Sequence, residues 1–273
     1  GKQMISLEAE NVSAGYGSLK DKDRMQVLHE VSFAVPEGRN VCILGANGSG
    51  KTTLLKVIAG MLPFTGSVRI GGQDIQKLKR REIAEQVAMM SQFSDIYFSY
   101  TVRETVMLGR YLHIDNFFGN PGRKDREIAE QAMEATGVSD LADRQIGALS
   151  GGQRQRVFLA RTFAQHTPVI LLDEPTNHLD LKYQEELMEY LQRWSAQETV
   201  LADGSRHRNT VIGVFHDINL AFGIAQDVIF LKDGRIVAQG EKEQTVTAGM
   251  LQKVYDIDVV NYMKQQLNHW KEL

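Results

Sequence analysis

Short apolar runs alternate with amphipathic stretches along most of this chain. Apolar alternation from Ile5 to Val12 predicts a first strand, ended by Gly15-Tyr16-Gly17 as a turn. Ser18 to Gln26 is polar and charged and reads as an exposed loop or hairpin tip. Strand character resumes from Val27 to Val35 and stops at Pro36-Glu37-Gly38. Val41 to Leu44 is short, apolar and partly β-branched, as expected of a strand buried on both faces. A glycine-rich stretch follows it. Leu54, Leu55, Ile58 and Met61 then fall at helical spacing, predicting a helix over Thr52 to Met61. Two more strands are expected at Ser67 to Ile70 and around Val87 to Met90.

The texture changes between Thr101 and Gly147. Val102 to Leu112 and Asp125 to Thr136 carry helical patterns with few strand signals, so an inserted helical subdomain is expected. A helix from Ser150 to about Gln165 leads into a buried strand, Val169 to Leu172. Tyr183 to Trp194 is an amphipathic helix and Val211 to Phe215 another buried strand. The last strands, Val228 to Leu231 and Arg235 to Ala238, are joined by Lys232-Asp233-Gly234 as a tight hairpin. There is no internal repeat and no low-complexity segment. The order of elements predicts an α/β core with a mainly parallel sheet.

Charge and cysteine content narrow the field. A net charge of -3 over 273 residues supplies no basic field for nucleic acid. The single cysteine, Cys42, excludes an internal disulfide and a cysteine zinc cluster; it sits in an apolar run and reads as a small buried hydrophobe. Nothing asks for an oxidising compartment, so a cytosolic location is expected. No apolar stretch approaches the roughly 20 residues of a membrane-spanning helix. No secretory signal is expected either, because Gly1-Lys2-Gln3-Met4 is not followed by an apolar run. A role at a membrane would require docking to another protein's helices.

Three motifs carry chemistry. Gly45-Ala46-Asn47-Gly48-Ser49-Gly50-Lys51-Thr52 matches G-x-x-x-x-G-K-[ST] between a strand and a helix. Its glycines let successive N–H groups point at phosphate oxygens, and the helix adds its positive end. Lys51 can reach the β- and γ-phosphates, and the Thr52 hydroxyl can ligate magnesium. Gly45, Asn47, Gly48, Ser49, Gly50, Lys51, Thr52 and Thr53 are therefore the candidate nucleotide-binding residues. In Val169-Ile170-Leu171-Leu172-Asp173-Glu174 a buried strand delivers two carboxylates to the sheet's ligand-binding edge. Asp173 would hold magnesium as a Walker-B acid, and Glu174 would polarise the attacking water. Leu149-Ser150-Gly151-Gly152-Gln153 opens a helix with an anion-binding geometry.

Together, in this order, these motifs resemble the ABC ATPase family over nearly the whole chain. The resemblance implies a P-loop NTPase core with a mainly parallel sheet, an N-terminal antiparallel β part and the inserted helical subdomain. Core residues 1–92 and 155–241, a helical subdomain 93–154 and a helical tail 242–273 would make up a single domain. ATP and Mg2+ are the implied cofactors. The family works as head-to-tail pairs, so Ser150, Gly151, Gly152 and Gln153 would meet the γ-phosphate held by a second copy. Tyr16 resembles the aromatic that stacks on adenine, Gln92 the glutamine that senses magnesium and water, and His216 the switch histidine at the γ-phosphate. Asn177-His178-Leu179-Asp180 resembles the loop through which Asp180 acts across the pair, with His178 as a turn residue. Arg154 and Arg156 are expected on a solvated or ion-paired helix face.

Softer matches point to a subgroup. Tyr100 to Arg110, Gln145 to Ser150, His216 to Ala221 and Tyr255-Asp256-Ile257-Asp258-Val259 resemble importers of ferric siderophores, haem and cobalamin. This resemblance implies a peripheral subunit on the cytoplasmic face of the membrane, working with permease subunits and, indirectly, an extracytoplasmic substrate-binding protein. Phe93, Ile96, Tyr97 and Phe98 suit either a permease contact or packing of the helical insert. An ABC ATPase of an exporter, or one serving as a non-transport switch, remains the alternative. Trp194 to Asn209 and Ser18 to Arg24 are longer and more polar than the family pattern, and the second bears on the placement of Tyr16.

Overall fold

The structure is a computed structural model, which describes residues 4–18, 20–22, 24–90, 98–114 and 119–273. Its centre is a six-stranded sheet. The strands are β3 (Val41–Leu44), β6 (Val87–Met90), β7 (Val169–Asp173), β10 (Thr210–Val214), β11 (Asp227–Lys232) and β12 (Arg235–Glu241). They lie in the order β12-β11-β3-β10-β7-β6, all parallel except the edge strand β12.

Both faces of this sheet are covered, which explains its unbroken apolar runs. Val41 and Ile43 of β3, and Val169 and Leu171 of β7, face one apolar cluster with Leu54, Leu55 and Ile58. Cys42 and Leu44, with Ile170 and Leu172, face the other, with Val157, Phe158 and Met133. Cys42 is fully buried, and desolvation pushes its thiol pKa well up, so it packs as the sequence suggests.

The first face carries α1 (Lys51–Ile58) and a four-stranded antiparallel sheet, β2-β1-β4-β5. Its strands are β1 (Ile5–Tyr16), β2 (Met25–Pro36), β4 (Phe64–Ile70) and β5 (Gln73–Asp74). β1 does not stop at a turn before Tyr16: it pairs with β2 until Tyr16 lies opposite Met25. Gly15 is glycine because the neighbouring strand is too close; a Cβ there would lie 2.0 Å from the Met25 carbonyl oxygen.

After α2 (Arg80–Gln86) and β6, the helices α3 (Val102–Met107), α4 (Arg123–Ala135) and α5 (Gly151–Ala164) lie against the second face. The helix expected to reach Leu112 is α-helical only to Met107 and tightens to a 3-10 helix over Leu108–His113. There Arg110 buries its head, donating to Asp125 Oδ1 at 3.0 Å and to the Ala164 carbonyl at 2.8 Å. α6 (Leu181–Ser195) and α7 (Ile218–Ile224) follow β7 and β10, and α8 (Lys242–Thr245), α9 (Ala248–Tyr255) and α10 (Val259–Asn268) form the tail. No helix among the described residues is long and apolar enough to cross a membrane.

The polar stretch after Trp194 is a small hairpin, β8 (Glu198–Val200) with β9 (Arg206–Arg208). Glu37 holds it to the body, accepting from the Arg208 amide at 2.7 Å and approaching His207 Nδ1 at 3.3 Å. His166 bonds the Val200 carbonyl at 3.0 Å through Nε2, and His113 bonds the Gln165 carbonyl at 2.6 Å. Both rings border a cavity of about 540 Å3 between α2, the start of α4 and the hairpin loop.

Burial, then the nearby Arg110 charge, lowers the His113 pKa; burial also lowers that of His166, against the bond to Val200. The unfolded chain, with histidines near 6.5, therefore holds more protons than the folded one just below that pH. Their stabilising contribution is full above about pH 6.5 and is lost as pH falls through the lowered folded values. The thermal midpoint should fall more between pH 7.5 and 5.5 in the native chain than in a His113→Gln, His166→Asn double variant. Equal slopes in the two proteins would contradict this.

Candidate functional site

The parallel strands β3, β6, β7 and β10 all end at one edge of the sheet, where loops meet. Register decides what meets there. Ile43, Val214 and Asp173 lie abreast on β3, β10 and β7, so the loop after β3 and the carboxylate ending β7 share one edge.

The glycine-rich loop leaves β3 and turns into α1. Gly48 (φ 81°) and Gly50 (φ 104°) occupy left-handed conformations that few other residues adopt. Gly50 stands at the N-terminus of α1 with no side-chain cap, which leaves the first amides of the helix for an anion. Asn47 and Gly48 are exposed, whereas Ser49 is buried and its Oγ has no hydrogen-bond partner. Lys51 Nζ donates to the carbonyl of Gly45, folded back over its own loop.

Across the cleft the Thr52 hydroxyl donates to Asp173 Oδ1 at 3.3 Å. Burial raises the Asp173 pKa, opposed by this bond, with Glu174 adding to the rise. Burial likewise lowers the Lys51 pKa against the attraction of Glu174 and Asp173. Desolvation thus outweighs mutual attraction for both groups. A site built this way has charges still short of partners, as a phosphate and a cation would supply.

Glu174 follows Asp173 with a positive φ of 49°, and its amide donates to the Val214 carbonyl at 2.7 Å. The chain therefore turns sharply off β7, and Asn177 Nδ2 donates to Glu174 Oε2 at 2.8 Å. Gln155 Nε2 donates to the Pro175 carbonyl at 2.6 Å, tying this turn to α5. Sequence reasoning assigned neither positioning contact; an amide side chain three residues after a carboxylate in a turn is the signal for the first.

Tyr16, Asn47, Gly48, Gly50, Lys51, Thr52, Thr53 and Glu174 line one cleft of about 290 Å3 with Met25 and Val27. Tyr16 is exposed at its rim, and its hydroxyl lies 3.2 Å from Thr53 Oγ1. Lys56 Nζ stands 5.7 Å from the centre of the Tyr16 ring. Tyr16 thus lies on the cleft.

Other predicted residues lie apart from this cleft. Ser150 caps α5, accepting from the Gln153 amide at 3.2 Å while Gln153 Oε1 accepts from the Ser150 amide at 3.0 Å. Gly151 faces open space, but a Cβ on Gly152 would lie 2.2 Å from the Tyr183 ring. Asp180 is exposed at the start of α6 with no side-chain cap bond, and His216 is exposed beyond the end of β10. Gln92, with Phe93, Ile96 and Tyr97, lies outside the described residues.

Of the two arginines read as a helix face, Arg156 pairs with Glu186 between the rings of Tyr183 and Tyr190. Arg154 donates to the carbonyls of Ile146 and Gly147, both at 3.2 Å, and lies over Phe98. Phe98 itself packs at the base of α5, beside Gly147.

Residues 28–177 match the family model described as ABC transporter. The uncharacterized ABC transporter ATP-binding protein YvrA of Bacillus subtilis is 38% identical over 260 residues, 95% of this chain. The chain spans 55% of that relative's length. The iron(3+)-hydroxamate import ATP-binding protein FhuC of Bacillus subtilis is 35% identical over 256 residues, 93% of this chain and 89% of that protein. Among solved structures, a dimeric, post-hydrolysis ATP-binding cassette bound to ADP and Pi superposes with a TM-score of 0.70 at 29% identity. The match covers 86% of this chain and 98% of that one. With the phosphate loop, the paired carboxylates and the helix-capping serine each in place, the chain belongs to the ABC transporter family and its fold is that of the family's ATPase cassette.

Proposed function

We propose that this chain binds and hydrolyses Mg-ATP as the nucleotide-binding subunit of an ABC importer. The cargo would be an iron chelate, haem or cobalamin, moved through separate permease subunits. The observation that carries the ATP site is the 3.3 Å contact between Thr52 and Asp173, in a cleft that also holds Lys51 and Glu174. The name of FhuC, an iron(3+)-hydroxamate import protein matched along almost its full length, supports the cargo class.

A magnesium ion suits this pair. A hydroxyl and a carboxylate are the oxygen donors a hard cation takes, and burial leaves Asp173 in need of positive charge. Thr52 and Asp173 would hold it, with Gln92 as a further ligand. Bound there, magnesium would neutralise charge on the β- and γ-phosphate oxygens.

The chain's own residues do the rest. Amides of Gly48 to Thr52 cradle the phosphates, with Gly45, Asn47, Ser49 and Thr53 shaping the loop. Lys51 leaves the Gly45 carbonyl for the phosphate oxygens, and Tyr16 stacks on the base. Glu174, steadied by Asn177, orients the attacking water and takes its proton. His216 and Gln92 contact the γ-phosphate and the water.

Ser150, Gly151, Gly152, Gln153 and Asp180 would serve the nucleotide of a second copy, as in the head-to-tail pairs that the resemblance to the family implies. The dimeric cassette among the solved relatives supports such a pair. Core residues 1–92 and 155–241 carry the phosphates, while the helical unit 93–154 swings the capping serine and meets the permease around Phe93 to Phe98. An extracytoplasmic binding protein would deliver cargo, placing this subunit peripherally on the cytoplasmic face.

Glu174→Gln should keep ATP binding and lower steady-state hydrolysis at least a hundredfold, with dimers accumulating in ATP on gel filtration. Hydrolysis at the native rate would remove Glu174 from the base role. Lys51→Ala alone should lose nucleotide binding, and Ser150→Arg alone should bind ATP but turn it over poorly. Mixed, these two variants form pairs with one intact composite site, so part of the activity should return. No recovery at any mixing ratio would exclude the two-chain site.

A further inference from the structure

The chain leaves β7 through a tight turn whose middle is held by a helix from another part of the sequence. The Asn177 amide donates to the Glu174 carbonyl at 3.2 Å, closing a turn centred on Pro175-Thr176, both buried. The carbonyl of that central peptide accepts from Gln155 Nε2 at 2.6 Å. Gln155 is half-buried near the start of α5, 20 residues upstream of Pro175.

Glu174 needs such support. Its φ of 49° lies in the left-handed region, although a residue before proline is pushed toward extended backbone. A residue other than glycine keeps that conformation where neighbouring contacts fix it. Three hydrogen bonds meet there: the Glu174 amide on the Val214 carbonyl at 2.7 Å, the turn bond of Asn177, and the bond from Gln155. The first comes from the sheet, the second from the turn itself and the third from α5. That helix is the one that Ser150 opens. Arg156, next to Gln155, pairs with Glu186 of α6, and the Tyr183 ring of α6 lies against Gly152. α5 thus grips the chain both at the turn carrying Glu174 and at the helix that follows it.

We propose that Gln155 is a positioning residue for hydrolysis. It holds the turn at Glu174 to α5, so that the aim of the base follows the seating of the helix whose start would meet a second copy's nucleotide. This rests on reading Glu174 as the base and Ser150 as serving the second cleft. A helix drawn onto that nucleotide carries Gln155 with it and, through the Pro175 carbonyl, sets the Glu174 carboxylate against its water. Hydrolysis in one cleft is thereby linked to closure over the other. Gln155 acts through a backbone carbonyl and touches no reacting atom, so its loss falls on the chemical step and leaves ATP affinity alone.

Gln155→Met keeps the length of the side chain and removes its N–H. On the full chain kcat should fall about three- to tenfold, the range of one hydrogen bond, while Kd for a fluorescent ATP analogue stays native. Gln155→Leu, a second side chain without a donor, should repeat the pattern. In the Glu174→Gln background Gln155→Met should change single-turnover hydrolysis by less than about twofold, because no base is left to aim. A bond that merely stabilised the fold would slow both backgrounds alike. The rate against ATP concentration should be sigmoidal in the native chain and closer to hyperbolic in Gln155→Met. Native kcat in both Gln155 variants, equal losses in the two backgrounds, a Kd raised by the factor that kcat loses, or rate curves of one shape would each overturn the proposal. The two levels of inference fail differently. Glu174→Gln hydrolysing at the native rate removes the base itself; a slow Glu174→Gln beside a native Gln155→Met removes only the role of Gln155.

Discussion

Register across three parallel strands governs this molecule. Ile43, Val214 and Asp173 stand abreast, so the loop leaving β3 and the carboxylate ending β7 reach the same edge although β10 lies between them. The 3.3 Å approach of Thr52 to Asp173 follows from that alignment. A slip of one residue would turn every side chain of a strand to the opposite face, and the two apolar clusters forbid it. Val41, Ile43, Val169 and Leu171 fit only one cluster; Cys42, Leu44, Ile170 and Leu172 fit only the other. Core packing on both faces thus sets the geometry of the cleft.

The same core explains why so much of the site is legible in sequence. Val41 to Leu44 and Val169 to Leu172 are four-residue apolar runs, and only strands covered on both faces need them. Each leads directly into polar residues whose spacing has a chemical reason. Local sequence is least informative where a contact comes from far along the chain. Gly15-Tyr16-Gly17 looks like a turn, yet Gly15 is there to admit the Met25 carbonyl of the next strand, and β1 continues through Tyr16. The β8–β9 hairpin is invisible to periodicity because its strands are three residues each and mostly polar. Its support comes from Glu37, about 170 residues earlier, and from Thr199 bonded to Asn209 just beyond it.

Positioning contacts are harder still to read. Asn177 on Glu174 and Gln155 on the Pro175 carbonyl depend on a turn in which Glu174 adopts a positive φ. Nothing in the order Asp173-Glu174-Pro175 announces that conformation. It arises because the Glu174 amide reaches the Val214 carbonyl of the adjacent strand, again a consequence of register. The carboxylate is then aimed by backbone geometry and steadied by one amide side chain. A loop left free to sample rotamers could not hold it so closely.

The helix-capping segment shows how one short motif divides its labour. Gly152 has no room for a side chain because the Tyr183 ring lies against it, and that ring in turn receives Arg156, which is paired with Glu186. Packing between α5 and α6 thus fixes the position of this glycine. A Cβ on Gly151 would meet nothing among the described residues, and the exposed Ser150 shares hydrogen bonds with Gln153. A capping box satisfies only some of the free amides at a helix start, so the remaining amides of α5 point outward with the helix dipole behind them. Packing therefore sets at the surface a helix start that favours negative charge. The pair proposed above would bring this helix start to the polyanion held in the cleft of a second copy.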